Sequence, residues 1–397
     1  MALVHFVLKL PNQNSWAYCM IKNLRYIIIA GLIVNGSAVA QHKILKMQWN
    51  IAANLPGQNG NPSVGFAGPV TGNDKGVFIV GGGANFPDSF PWQGGKKKYY
   101  NEVYLFHCKK DQLKLVTQKF VLPESIAYPA CSPTANGIFY AGGENENGIS
   151  AKAWLMQWDA KTKKIIFKNL PQLPVPVSNA AATRIGNLVF VAGGETPTDA
   201  SAQWVCIDLK NIEKGWKPLT NIPHPVSHTV LAALNENQIM LAGGRKKNSN
   251  GISDLYHDVY LYDISKNEWQ QKASLPYSLS AGTGVSINKD EMVIFGGDRG
   301  NTFHEVEKTI AAIKNENDES KKQSLILQKN NLLSTHPGFS KEILHYAISS
   351  GKWDTIGEIP FATPVTTTAV EWGSCILIPS GEIKAGVRSP HILQVSF

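Results

Sequence analysis

An apolar run that closes on two glycines occurs five times in this chain of 397 residues, and that repeat constrains the fold more than any other feature. The copies lie at 77–82, 138–143, 189–194, 239–244 and 292–297. A degenerate sixth, at 375–381, carries Pro379 and Ser380 before its last glycine. A second marker runs alongside, an aliphatic residue followed by proline: Leu55-Pro56, Leu122-Pro123, Leu173-Pro174, Ile222-Pro223, Leu275-Pro276 and Ile359-Pro360. Successive prolines lie 67, 51, 49, 53 and 84 residues apart, and the closing glycines from Gly82 to Gly381 lie 61, 51, 50, 53 and 84 apart. The markers stay in phase even across the longest interval. One supersecondary unit of roughly fifty residues is therefore used six times.

Each unit reads as four short strands. The small-residue run after the proline, such as Ser178-Asn179-Ala180-Ala181-Ala182-Thr183, suits an inner strand where neighbouring units crowd an axis. The glycine-ended run follows, then an aromatic strand such as Asp258-Val259-Tyr260-Leu261-Tyr262-Asp263, then a strand holding Trp216, Trp269 or Trp353. Short strands at even spacing, with a repeated glycine pair and aromatic, read as propeller blades. The expected fold is all-β, a six-bladed β-propeller over residues 41–397. After Arg388 only a third strand remains, at 391–395. The strand completing the last blade is expected from the other end of the chain, at 46–50, and such closure removes the sheet edges.

Two connections break the rhythm, both directly after a glycine pair: 84–99 in the first blade and about 298–339 in the fifth. The middle of the second, 303–333, is charged and proline-free with partly helical apolar spacing, and reads as one or two helices. Antiparallel strands put alternate loops on one face, so the post-glycine loops share a face with the aliphatic-proline loops. In a ring the sixth blade adjoins the fifth and the first. The loop after Gly381, with Glu382 and, six residues on, Arg388, is thereby set between the two longest loops. An acid and a base there can be walled and dried. Glu144, Glu195, Arg245 and Asp298 hold comparable places, so a plain polar rim is the alternative reading.

Composition excludes several classes. The net charge of +8 is dispersed, with no Lys/Arg cluster interleaved with aromatics, which argues against nucleic acid. The stretch 20–40 reads as a secretory signal: Lys22 and Arg25, an apolar segment at 26–34 too short to span a bilayer, and Ser37-Ala38-Val39-Ala40 as the cleavage site. Periplasmic export follows, with residues 1–19 an upstream extension and no membrane span after cleavage. Cys108, Cys131, Cys206 and Cys375 would remain, each in or beside an expected strand and none in a C-x-x-C; they read as buried thiols. An oxidising compartment also permits a disulfide, and the sequence chooses no pairing. The ten His show no ligand spacing, so no metal and no cofactor are expected.

The glycine-pair blades are similar to kelch repeats. More closely, Ser380-Gly381-Glu382-Ile383-Lys384-Ala385-Gly386-Val387-Arg388 resembles the N-G-E-x-K-x-G-x-R segment of bacterial N-acetylneuraminate epimerases, the sialic acid mutarotases. Val64-Gly65-Phe66-Ala67-Gly68 with Gly81-Gly82-Gly83-Ala84-Asn85-Phe86 resembles their G-F-A-G … G-G-A-G-F blade, and the helical insertion matches in kind and in blade. In usual members the Glu–Arg blade is internal and the G-F-A-G blade follows it. Here the first is last and the second first, still neighbours in a closed ring, as in a cyclically permuted branch. Ser380 replaces the family's Asn, and Ile126-Ala127-Tyr128 stands where the family tends to Arg-Ala-Tyr.

The resemblance implies an isomerase that interconverts the α and β anomers of N-acetylneuraminic acid by acid/base ring opening. It implies Glu382 as proton acceptor, with Arg388 on the substrate carboxylate or the developing oxyanion. Lys384, Asn85, Tyr128 and Glu144 are the substrate-binding candidates. The partner expected is a small-molecule sugar acid, and a homodimer is left open. The alternatives are a mutarotase for another sugar acid and a non-enzymatic exported kelch module that binds a glycan or protein.

Overall fold

The computed structural model describes residues 47–57, 62–109 and 112–397. The signal-like stretch 20–40 and the extension 1–19 lie outside the described residues, as does the side chain of Cys108.

Among the described residues the strands form six antiparallel blades. From the inside outward the first is Val70–Asp74, Val77–Gly81, Glu102–Lys109 and Gln112–Leu115. The same order recurs in blade 2 (130–170), blade 3 (181–218), blade 4 (230–271) and blade 5 (283–358). Blade 6 runs Val370–Trp372, Cys375–Pro379, His391–Ser396 and, outermost, Gln48–Asn54 from the other end of the chain. This closing strand pairs Trp49 with Val395. It reaches four residues beyond the expected 46–50, because pairing continues past a bulge between Ile51 and Ala53 and the buried Leu55 amide then donates to the Pro390 carbonyl at 2.8 Å.

The glycine-ended strands read as unbroken apolar runs because both faces are covered by neighbouring blades. The period of two survives within them. In blade 1, Val77 and Ile79 pack with Ile138, Tyr140 and Met156 of blade 2, while Phe78 and Val80 pack with Val370, Leu377 and Ile392 of blade 6. A comparable apolar layer fills each of the other blade interfaces. Burying each such side chain contributes about 1.5–3 kcal/mol. Outer tryptophans latch blades 3, 4 and 5 to their predecessors: the indole N–H groups of Trp216, Trp269 and Trp353 donate to the carbonyls of Pro171 (2.8 Å), Thr220 (2.9 Å) and Ala273 (2.9 Å).

A closed circle of backbone hydrogen bonds ties the blades at the axis. Tyr128 N–H donates to Gly68 O, Asn179 to Tyr128, His228 to Asn179, Ala281 to His228, Thr366 to Ala281, and Gly68 back to Thr366, at 2.7–3.1 Å. Each of these residues has a positive φ, between 52° and 61°. For the five that are not glycine this is a costly conformation, held by the ring.

The glycine pairs also sit at positive φ, as at Gly142 (69°) and Gly143 (91°). In blade 1 the pair in phase is Gly82-Gly83 rather than Gly81-Gly82, since Gly81 is still in strand opposite Val70. A Cβ on Gly82 would lie 2.6 Å from the Ile126 carbonyl of the next segment, so glycine is needed there. In blade 6 Ser380 takes the first glycine's place at φ 56°. Its fully buried hydroxyl accepts from Phe66 N–H at 2.8 Å and lies 2.6 and 3.0 Å from the Ser389 and Phe66 carbonyls. The departure from the family's Asn thus has a structural use: it stitches the last blade to the first.

The insertion forms two helices, α1 (Asn301–Asn315) and α2 (Glu319–Ser334). Asp318 caps α2 by accepting from Lys321 N–H at 2.9 Å. Buried Glu307 anchors α1 to blade 4, accepting from the Ser253 amide (2.8 Å) and hydroxyl (2.7 Å). On its other side α2 packs against the short turn Pro91–Gln93 of the first blade's long loop. No helix among the described residues is long and apolar enough to cross a membrane.

Candidate functional site

The residues following the glycine pairs each bridge back to the segment entering their own blade: Ala84, Glu144, Glu195, Arg245, Asp298 and Glu382. This is the face the repeat phase selects, and a cavity of about 330 Å³ opens on it at the axis. Five of these side chains line it, all but Ala84. Thr302, Phe303 and Val306 of α1, with Leu333, His336 and Phe339, wall it from the insertion, and Lys97 from the first blade's loop.

Glu382 and Arg388 lie directly opposite each other on a two-stranded hairpin, Glu382–Lys384 with Val387–Arg388. Their six-residue spacing is the reach of that turn. Gly386 makes the turn at φ 76°, and its N–H donates to Glu382 Oε1 at 2.8 Å. Arg388 Nη2 lies 3.1 Å from Glu382 Oε2. The hairpin is gripped from both neighbours, as the ring predicts: Pro91 and Trp92 close on Gly386, and Gly338 of the insertion approaches the Ile383 carbonyl. The Arg388 side chain is 4% exposed, its guanidinium lies 4.8 Å from the Phe86 ring centre, and its Nε and Nη1 are buried with no hydrogen-bond partner.

Tyr128 and Glu144 also line the cavity. Glu144 Oε1 accepts from Tyr99 O–H at 2.8 Å and from Lys97 Nζ at 3.1 Å. Burial, then the bond to Glu144, pushes the Tyr99 hydroxyl up to about 12. Burial opposes the charge on Lys97, yet Tyr128 and Glu144 outweigh it and hold the ammonium above its ordinary value. Burial raises Tyr128 as well, against the pull of Lys97 and Arg388, and it stays a neutral phenol at pH 7.

A second charged group faces these from blades 3 and 4. Arg245 Nη2 lies 3.4 Å from Glu195 Oε1 and 3.1 Å from His228 Nε2, its guanidinium carbon 4.6 Å from the centre of the Phe303 ring. Asn179 Nδ2 donates to Glu195 Oε2 at 3.3 Å. Burial and the adjacent Arg245 charge push the His228 imidazole down to about 3. His228 is therefore neutral at pH 7, and Nε2 accepts from Arg245. Burial works against ionisation of Glu195, but the neighbouring cationic groups and the Asn179 amide win and its carboxyl lies below the usual range. With His228 neutral, Arg245 supplies that attraction. His336, buried at the base of the insertion, accepts from Gly338 N–H through Nδ1 at 3.0 Å, which leaves its proton on Nε2.

Among the substrate-binding candidates from sequence, Tyr128 and Glu144 reach the cavity and two do not. Asn85 is turned inward, its amide donating to the Gly65 carbonyl (2.9 Å) and accepting from Tyr100 O–H (2.8 Å), so it braces the first blade's loop. Lys384 is exposed, on the hairpin strand outside the lining. Ile126 is core between blades 1 and 2, not a pocket wall. The sequence reading does not include Lys97, Tyr99, His228 or His336. A signal existed for one of them: Tyr128, Asn179, His228 and Ala281 each follow their aliphatic-proline by five residues, so the axial ring could have been read from the phase. Cys131 and Cys206 are buried thiols, and burial pushes Cys131 up to about 12. Among the described residues no group of three or more His, Cys, Asp or Glu side chains is placed to hold a metal ion.

A family model for N-acetylneuraminate epimerase matches residues 170–397. The N-acetylneuraminate epimerase of Salmonella typhi is 31% identical over 227 residues, 57% of this chain and 57% of that one. That of Brucella melitensis is 28% identical over 250 residues, 62% of each. The chain thus matches less than two thirds of the length of these curated relatives. A solved structure titled "Structure of YjhT" superposes with a TM-score of 0.60 at 13% identity, covering 86% of this chain and 96% of that one, which shows the shared propeller fold.

Proposed function

This chain belongs to the N-acetylneuraminate epimerase family, and we propose that it is a mutarotase that interconverts the anomers of N-acetylneuraminic acid. The observation that carries the reading is the Glu382–Arg388 pair, 3.1 Å apart, on a hairpin held at a cavity between two long insertions. Its volume, about 330 Å³, falls in the range of small-molecule sites. A sequence match that begins at the end of the second blade supports a ring opened at a different blade from its relatives.

In this reading Glu382 takes the proton of the anomeric hydroxyl. The bond from the anomeric carbon to the ring oxygen breaks, its electron pair stays on that oxygen, and the hydroxyl oxygen becomes a carbonyl. The ring oxygen takes a proton from the newly formed Glu382 acid. Rotation about the exposed carbon–carbon bond and closure with the roles reversed give the other anomer. Arg388 and the Gly386 amide each engage one oxygen of Glu382, which holds the carboxylate aimed. The signal-like stretch 20–40 supports periplasmic action.

The test is proton NMR of freshly released α-N-acetylneuraminic acid, following the rise of the β-anomer with and without protein. Wild type should accelerate it. Glu382→Gln, which keeps an acceptor for Arg388, should lose roughly 10²–10⁴-fold while the protein remains folded. No acceleration by wild type overturns the proposal and moves the reading to a mutarotase for another sugar acid or to a binding module.

A further inference from the structure

The cavity holds two guanidinium groups, and they are not equally available. Arg388 is 4% exposed, covered by Phe86, with Nη2 on Glu382 and with Nε and Nη1 out of reach of solvent. Arg388 lines the cavity too, but an anion arriving there meets a guanidinium whose Nη2 is committed and whose other two nitrogens are buried. Arg245 is 20% exposed and commits only Nη2, to Glu195 and His228. Its Nε and Nη1 make no hydrogen bond among the described residues, and neither is sealed off. The group is stacked on Phe303 of α1, so it is aimed as well as charged. His228 is neutral and accepts from Arg245, so Glu195 alone offsets its charge, and only through Nη2. Lys97 is the other cation of the cavity, and it is held by Glu144 at 3.1 Å.

We propose that Arg245 is the subsite for the carboxylate of the sugar acid, with Glu195, His228 and Phe303 positioning it, and that Arg388 serves Glu382 instead. The assignment rests on the sugar-acid reading of the cavity. It divides the work across the ring: blade 6 carries the acid/base group at the anomeric carbon, and blade 4 recognises the charge. A carboxylate on Arg245 forms charge-assisted hydrogen bonds through Nη1 or Nε, and losing bonds of that kind costs on the order of 10- to 100-fold in affinity.

The experiment measures binding separately from turnover. The probe is the methyl glycoside of N-acetylneuraminic acid, which cannot open its ring, titrated calorimetrically into wild type, Arg245→Gln, Arg245→Lys and Lys97→Met. The methyl ester of the same glycoside serves as the uncharged comparison. Wild type should bind the acid more tightly than the ester. Arg245→Gln should weaken the acid by on the order of 10- to 100-fold and abolish that preference, with Arg245→Lys in between and Lys97→Met close to wild type. Melting curves confirm that each variant folds, and the lysine variant keeps the test valid should the glutamine one not. An acid preference that survives both Arg245 substitutions overturns the assignment. So does its loss in Lys97→Met alone, or a wild type that binds neither probe. Binding that follows Arg245 in a protein without anomer exchange overturns the mutarotase reading while leaving this subsite standing.

Discussion

Replacing Ser380 by alanine tests whether the seam of the ring is held as the structure indicates. The backbone stays at φ 56° with either residue, so the change isolates the hydroxyl. Two hydrogen bonds go: the one accepted from Phe66 N–H at 2.8 Å and the one donated to Ser389 O at 2.6 Å or Phe66 O at 3.0 Å. All three groups are at a buried junction between the first and last blades. At about 1–1.5 kcal/mol for each buried bond, the loss is about 2–3 kcal/mol. That corresponds to roughly 30- to 150-fold more frequent opening of the seam, if opening exposes these groups. Amide hydrogen exchange reads it directly. Peptides covering 62–68 and 389–396 should exchange faster in Ser380→Ala, while those of blades 3 and 4, on the far side of the ring, keep their wild-type rates. The global urea midpoint should fall as well. Unchanged exchange at Phe66, or a uniform rise across all blades, would refute the idea that this hydroxyl closes the ring.

Gly386→Ala should impair the site through geometry alone: a Cβ there would meet Pro91 Cγ at 2.6 Å in a turn at φ 76°, and the shift needed would carry the Glu382 Oε1 bond with it, so the rate of anomer exchange should drop more than the melting temperature. His228 predicts an acid sensitivity. Its imidazole is held neutral down to about 3 in the folded chain against an ordinary value of 6.5. Below pH 6.5 the unfolded chain therefore takes a proton that the folded chain refuses; stability is full above that pH and is lost as pH falls toward 3, by up to about 1.4 kcal/mol per unit. Urea midpoints measured from pH 7 to 4 should fall more steeply for wild type than for His228→Gln, and parallel slopes would contradict this. The glutamine variant at Glu382 and the Arg245 series complete the set, one reading the rate of ring opening and the other the affinity for a carboxylate.

Much of this architecture is written locally. The apolar runs alternate between two neighbouring blades with a period of two, so each run states that it is covered on both faces. Counting the glycine pairs and the aliphatic-proline steps yields the number of blades, their order, a borrowed strand near 46–50 and the blade that carries the helices. Phase also puts Glu382 and Arg388 between the long loops, because a closed ring makes the last and first blades neighbours whatever the chain order. Side-chain commitments are of another kind. Ser380 meets Phe66 across 314 residues of chain, Arg245 meets Glu195 across 50, and Glu144 meets Lys97 across 47. No local pattern reports those encounters. Asn85 looked like a ligand and proved an internal brace, and two arginines that are alike on paper differ in that one is sealed and one open. The periodicity of the chain determines where a residue sits in the ring, because strand and turn preferences act between neighbours in sequence. Which of its atoms remain available for a substrate is decided only when distant blades close around the axis and consume the rest.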